Sequence, residues 1–189
     1  MNYVNNAGLF LIDTLLGLYI LLVLLRFWLH WLRGDFRGPI GQLLINATSP
    51  VVTPFRSLAK SPKAWALICL GITFILTILK NVLMSTLAGA SPSLEGLLLF
   101  SFGEVLKTSI YIFMACVFIR IIASWIMPHG GNPLMNTIYS LSEPLMAPAR
   151  RLIPSFNNID LSPIAIFIAL NLGLILVVQP IFDMAKKLG

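Results

Sequence analysis

Charge is scarce in this chain. Of its 189 residues only 11% are Asp, Glu, Lys or Arg, whereas 58% are apolar; a soluble domain carries about 25% charged residues. With a mean hydropathy of +0.90, the chain cannot cover a water-facing surface, so bilayer lipid must solvate most of it. Cysteine is nearly missing too. Cys69 and Cys116 each stand alone inside an apolar run, with no second thiol or histidine at metal-ligand spacing, which excludes a disulfide framework and a metal centre and leaves two buried, unreactive thiols. The two histidines, His30 and His129, fall in different segments with no Ser or Cys nucleophile beside them, and neither paired carboxylates nor an HExxH spacing occurs. That pattern predicts no enzyme, no catalytic residue and no cofactor. Acidic residues inside the apolar runs lie only near their ends, and no Gly-rich re-entrant loop is present. The carboxylate rings and carbonyl filters of cation pores are therefore missing as well.

What charge there is has one dominant sign. The net charge of +6 and pI near 9.7 do not point to nucleic acid, because the basic residues flank apolar spans instead of clustering on a soluble domain; they orient the chain in a membrane. Met1 to Asn6 carry no Lys or Arg, and the apolar run behind them is longer than the core of a signal peptide. The N-terminus is expected to be kept as part of the first span.

The chain contains one stretch twice. Displaced by 94 residues without a gap, Arg26 falls on Arg120, Trp31 on Trp125, and Pro39, Pro50 and Pro54 on Pro133, Pro144 and Pro148; Arg56 and Leu58 fall on Arg150 and Leu152. Coincidences among prolines, tryptophan and arginine indicate an internal repeat, with repeat 1 at 1–93 and repeat 2 at 94–189. Four spans are predicted, at about 7–31, 64–88, 104–126 and 162–184. The third is started at Glu104 because 97–127 as one helix would be ~46 Å long, overshooting a ~30 Å hydrocarbon core, so a break is expected around Ser101 to Gly103.

Between the spans of each repeat lies a linker too polar and too rich in proline to cross. In linker 33–63, Ile40, Leu44, Ala47, Val51, Phe55 and Leu58 recur at helical steps. Ser49-Pro50 reads as a break and restart with Ser49 as an N-cap, and Pro54 as a kink. In linker 128–160, Leu134, Ile138, Leu141, Leu145, Ala149 and Leu152 copy that stripe 94 residues on. The linker opens at a Pro128-His129-Gly130-Gly131 turn and closes at Asn157-Asn158. Both linkers are predicted to be bent amphipathic segments at the membrane surface. The fold class is all-α: four transmembrane helices in two repeats, each helix, bent interfacial segment, helix. An even number of crossings per repeat makes the repeats parallel about a pseudo-two-fold axis along the membrane normal. Nine Lys and Arg lie on the linker side and four opposite. Both linkers are thus expected in the cytoplasm and both termini outside, with Lys186-Lys187 the feature that argues against it.

Candidate functional residues follow from charge in or beside the spans. Arg26 and Arg120, at one position of both repeats, either snorkel to phosphate at the helix ends or hold an anionic headgroup or a partner's carboxylate about a common axis. Arg56 with Lys60, and Arg150 with Arg151, either fix topology or bind anionic lipid at about 1 kcal/mol per charge. Asp13 and Lys107 occupy equivalent positions with opposite signs and either pair across the axis or stand apart as interfacial charges. Lys80 interrupts a span without an acidic neighbour in sequence; it either reaches the outer interface or lines a polar path for ions or protons. The partners these residues imply are membrane lipids, other membrane proteins or further copies of the chain.

The repeated segment resembles the bacterial YggT, or YlmG-related, family, whose members carry the repeat once or twice. The likeness rests on LLRFWLHWL and TSPVVTPFRSL in the first copy, and on FIRIIASWI and SEPLMAPARRLIPSFNNIDLSPI in the second. It covers nearly the whole chain, and the second copy fits better. The first departs after Leu58, with AKSPKAW where the family often has Gly and an acidic residue. The resemblance implies a small integral protein of the bacterial inner membrane. It links two-repeat members to osmotic and salt stress tolerance and potassium homeostasis, and other relatives to division, nucleoid distribution and membrane-protein maturation. It carries no catalytic residue. Two functions of different class are left open: a membrane-organising or accessory protein, and an ion channel or transporter with Lys80, Asp13 and Lys107 along its path. Any function of the repeat itself is expected at the inner surface, between the two linkers.

Overall fold

The computed structural model describes residues 3–126, 133–153 and 160–188, and these contain helices and turns but no strand. The two predicted turns at 128–131 and 157–158 lie outside the described residues, as does the side chain of Leu134. Helix α1 spans Tyr3–Trp31, α2 Pro39–Val52, α3 Pro62–Leu87, α4 Leu94–Ile126, α5 Pro133–Leu152, α6 Ser162–Gly173 and α7 Gln179–Leu188. A 3₁₀ turn at Thr53–Leu58 follows α2, and a π-helical stretch at Leu174–Val178 joins α6 to α7. Four stretches are long and apolar enough to cross a bilayer: Asn6–Trp31, Pro62–Leu87, Leu94–Ile126 and Ser162–Leu188.

Local chemistry sets the helix ends. At the end of α1, Arg33 takes a left-handed conformation at φ 54; Gly34 N–H reaches the Leu29 carbonyl at 2.8 Å and Arg33 N–H the His30 carbonyl at 3.4 Å, the bonding pattern of a Schellman cap. Gly89, at φ 72, ends α3 with the same pattern. Ser61 caps the start of α3 by accepting from Ala64 N–H at 3.1 Å, with Pro62 in the first turn. Ser93 does the same for α4 through Gly96 N–H at 3.0 Å.

Three expectations are corrected. No break occurs at Ser101 to Gly103: α4 is one helix of 33 residues, about 50 Å long. The Ser101 hydroxyl bonds back to the Leu97 carbonyl, and Gly103 supplies room for Phe182 of α7, whose Cε1 would lie 2.9 Å from an added Cβ. The serine and glycine mark a helix contact. Such a helix must tilt or protrude. Second, α2 runs through Ser49-Pro50 to Val52. Ser49 is no N-cap, since its hydroxyl donates to the Ile45 carbonyl within the helix, and the change of helix type comes at Thr53, beside Pro54. Third, the buried line of α2 is Gly41, Leu44, Thr48 and Val52, so Phe55 and Leu58 at the end of the expected stripe are exposed.

Helix α1 packs chiefly on α3, and α4 on α7 and α5, with α3 against α4 joining the halves. The main core gathers Val23, Leu24, Leu44, Val52, Cys69, Cys116 and Leu141, drawing on α1 to α5; a smaller cluster of Val117, Met146 and Ile166 ties α4 to α5 and α6. Only 11% of the most apolar window of the last span is buried within the chain. Its remaining apolar surface is left for lipid.

Candidate functional site

Two polar places are built at opposite ends of α1. The first lies near its start and is centred on Lys80 of α3, whose Nζ sits 3.1 Å from Asp13 Oδ1 of α1 and 3.0 Å from Glu104 Oε1 of α4. The lysine and glutamate side chains are 10% and 18% exposed, the aspartate 59%. The inner pair is desolvated and the outer one is not. Next to it the Asn81 amide donates to Ser101 Oγ at 3.0 Å. An open cavity of about 400 Å³ touches Asp13, Lys80, Asn81 and Glu104.

The second place is beneath the linkers, and it exists twice. Arg26, 5% exposed, donates from Nη1 to Thr48 Oγ1 of α2 at 2.7 Å and stands over the Trp65 ring at 5.6 Å. Arg120 donates to Ser142 Oγ of α5 at 3.0 Å and stands over the Tyr139 ring at 4.9 Å. Thr48 and Ser142 are themselves 94 positions apart, as the arginines are. Each arginine borders a cleft, of about 590 Å³ in the first case and 830 Å³ in the second. The first is lined by Arg26, His30, Ile45 and Arg56, the second by Arg120, Ser124, Tyr139 and Arg150, the same four positions displaced by 94.

The charges differ. Arg120 is paired with Glu143 at 2.6 Å and Arg150 with Asp160 at 2.9 Å. Burial alone would raise the pKa of Asp160, but hydrogen bonds from Ser162 and Arg150, with the arginine's charge, hold it below the ordinary carboxylate range. In the first repeat Ser49 stands at the position of Glu143 and Ala66 at that of Asp160.

A family model described as CCB3/YggT matches residues 5–87 and again 99–181, two segments that are 94 positions apart. The chain belongs to the CCB3/YggT family. It is 34% identical over 168 residues to an uncharacterised protein of Vibrio alginolyticus encoded in the proC 3′ region, covering 88% of this chain and 90% of that one. An uncharacterised protein of Pseudomonas aeruginosa is 32% identical over 177 residues, covering 93% and 90%. The YggT protein of Escherichia coli K12, also uncharacterised, is 29% identical over 179 residues, covering 92% of each chain. No solved structure matches.

Within this YggT-family chain, Asp13 does not meet Lys107: the aspartate goes to Lys80, and the Lys107 ammonium lies over the Phe182 ring at 5.7 Å. Among the described residues the ion pair between repeats is instead Lys80 to Glu104. Arg56 is exposed and Arg151 is exposed in the last turn of α5. Neither has an ionic partner among the described residues. Sequence reasoning missed Glu104, Thr48, Ser142, Glu143 and Asp160. The hydroxyl pair was available in the repeat register, because position 48 and its copy at 142 are both hydroxyl residues. Glu104 was not, since its counterpart is Phe10.

Proposed function

We propose that this YggT-family chain is a non-enzymatic, multi-pass protein of the bacterial inner membrane. It organises or assists other membrane components through its linkers at the inner leaflet and supports tolerance of osmotic and salt stress. The two repeats run parallel, with the linkers in the cytoplasm and the termini outside. The observation that carries this reading is that the lysine inside the spans is already paired and that hydroxyls of α3 and α4 are tied to their own helices. Lys80 is held by two carboxylates, and the hydroxyl protons of Thr73, Thr77, Thr108 and Ser109 go to carbonyls of their own helices, so these groups serve the packing of the spans. The excess of Lys and Arg beside the linkers supports the orientation. Membrane-protein partners or further copies of the chain would meet the exposed faces of α2 and α5.

A second reading, an ion channel or transporter, is favoured by one feature, the cavity at the Lys80 cluster. Reconstitution in liposomes with K⁺ and H⁺ indicators separates the two. Flux equal to that of empty liposomes under an osmotic gradient is the expected result; flux above that level, abolished in Lys80→Met, would overturn the organising role. For the orientation, a cysteine at exposed Ser57 should resist an impermeant thiol reagent in intact cells, and one at Ser91 should react. The reverse pattern would invert the topology.

A further inference from the structure

The two clefts share a framework but not a charge balance. In the second, each arginine has its own carboxylate, Glu143 for Arg120 and Asp160 for Arg150. In the first, Arg26, Arg56 and Lys60 line the cleft and no Asp or Glu is among the described lining residues. Arg26 is nearly fully buried, and its Nε has no hydrogen-bond partner. Its bonds to Thr48 and to the Ile45 carbonyl are made to neutral acceptors. A buried cation with no counter-charge, next to two more cations, is an arrangement that an anion stabilises strongly.

We infer that the first-repeat cleft, bordered by Arg26, Arg56 and Lys60, binds a phosphate-bearing anion, which supplies the negative charge that Glu143 and Asp160 supply in the second cleft. The inference deepens the inner-leaflet role proposed above by naming the ligand class at one linker. Phosphate fits better than a lone carboxylate. Two guanidinium forks and an ammonium offer more donors than two oxygens can accept, and phosphate presents additional oxygens to planar forks. The Ser61 hydroxyl, which already accepts from Ala64 N–H, keeps its own proton to donate. The cleft is also lined by Trp65, an aromatic suited to headgroup depth. The phosphate comes either from an anionic lipid headgroup entering sideways or from free phosphate on the aqueous side.

Native mass spectrometry of the full chain distinguishes these sources: one arm offers phosphatidylglycerol against phosphatidylcholine, the other inorganic phosphate alone. Retention of phosphatidylglycerol over phosphatidylcholine identifies a lipid, and retention of inorganic phosphate a free ion. Ser49→Glu, which restores the acid of the second repeat, should weaken retention about tenfold or more. Arg56→Gln, at an exposed position, should do the same without disturbing the fold. Glu143→Ser should create a second site. Wild type retaining neither ligand, or both Ser49→Glu and Arg56→Gln retaining it undiminished, overturns the inference. Flux and thiol labelling do not depend on this cleft, so failure here is separable from failure of the organising role.

Discussion

Replacing Lys80 by methionine tests whether the intramembrane cluster is a structural clasp. The substitution keeps an unbranched apolar stem as far as Cε but removes the ammonium, stranding Glu104, whose Oε2 already lacks a partner, beside Asp13. Removing one member of a buried pair costs about 3–5 kcal/mol. Because the Lys80 and Glu104 side chains are 10% and 18% exposed, the loss should fall near the lower end, about 3 kcal/mol. Asp13 is 59% exposed, so its share is screened, and Asp13→Asn should cost less than about 1 kcal/mol. Glu104→Gln leaves Lys80 with Asp13 and should be intermediate. The double variant of Lys80→Met with Glu104→Gln should be less destabilised than the sum of the single changes, by about 1–3 kcal/mol. Titration with a denaturing detergent in mixed micelles reads these differences. The buried thiols of Cys69 and Cys116 report unfolding by reaction with a thiol dye. Lys80→Met within about 0.5 kcal/mol of wild type, or strict additivity in the double variant, would refute the clasp.

Thr48→Val should destabilise the same micellar protein by about 1.5–3 kcal/mol, because it removes the neutral acceptor of a buried guanidinium. Ser142→Ala should cost less, since Arg120 keeps Glu143; equal losses would argue against the charge difference between the clefts. Gly103→Ala would bring a methyl 2.9 Å from Phe182 Cε1 and should lower the melting temperature by pushing α7 off α4, at a cost of about 1–2 kcal/mol. Gly8→Ala, with nothing within 4 Å, is its silent control. Asp160 has a pKa in the folded chain below its ordinary value. Its contribution is therefore present above the unfolded value of about 3.9 and lost as pH falls through the lower folded one. Melting temperature against pH should show a shallower acid limb in Asp160→Asn. The effect stays under about 1 kcal/mol, because both partners are more than a third exposed.

Element types were readable because lipid imposes a simple rule: a span made of one continuous apolar run of this length closes its backbone hydrogen bonds as a helix. The repeat was readable because prolines and arginines hold register across 94 positions. What the sequence hid was the action of one element on another. Ser101 and Gly103 resemble a helix break when α4 is read alone and become a packing surface only once Phe182 is placed against them. Pro50 looks like a stop, yet a helix held on Leu44, Thr48 and Val52 passes through it. Lys80 had no acidic neighbour along the chain, and its partners arrive from α1 and α4. The pairing of Asp13 with Lys107 failed for a related reason: equivalent positions in a duplicated fold share surroundings, but they need not face one another.

Duplication also explains why the two arginine clefts are best compared with each other. A hydroxyl facing the span arginine, 22 positions after it in both copies, holds the linker against the helix end. That contact needs no carboxylate, because it is made where none is present. Glu143 and Asp160 are therefore additions to a framework that stands without them, and their effect is to occupy the second cleft with charge from within the chain. Were the arginines only topological markers, both copies would tolerate either state, and moving the acid from one cleft to the other would leave ligand retention unchanged. If the first cleft is kept open for a ligand, Ser49→Glu closes it while sparing the fold. The two repeats would then divide their work, one fastening its linker and the other reading the membrane beside it.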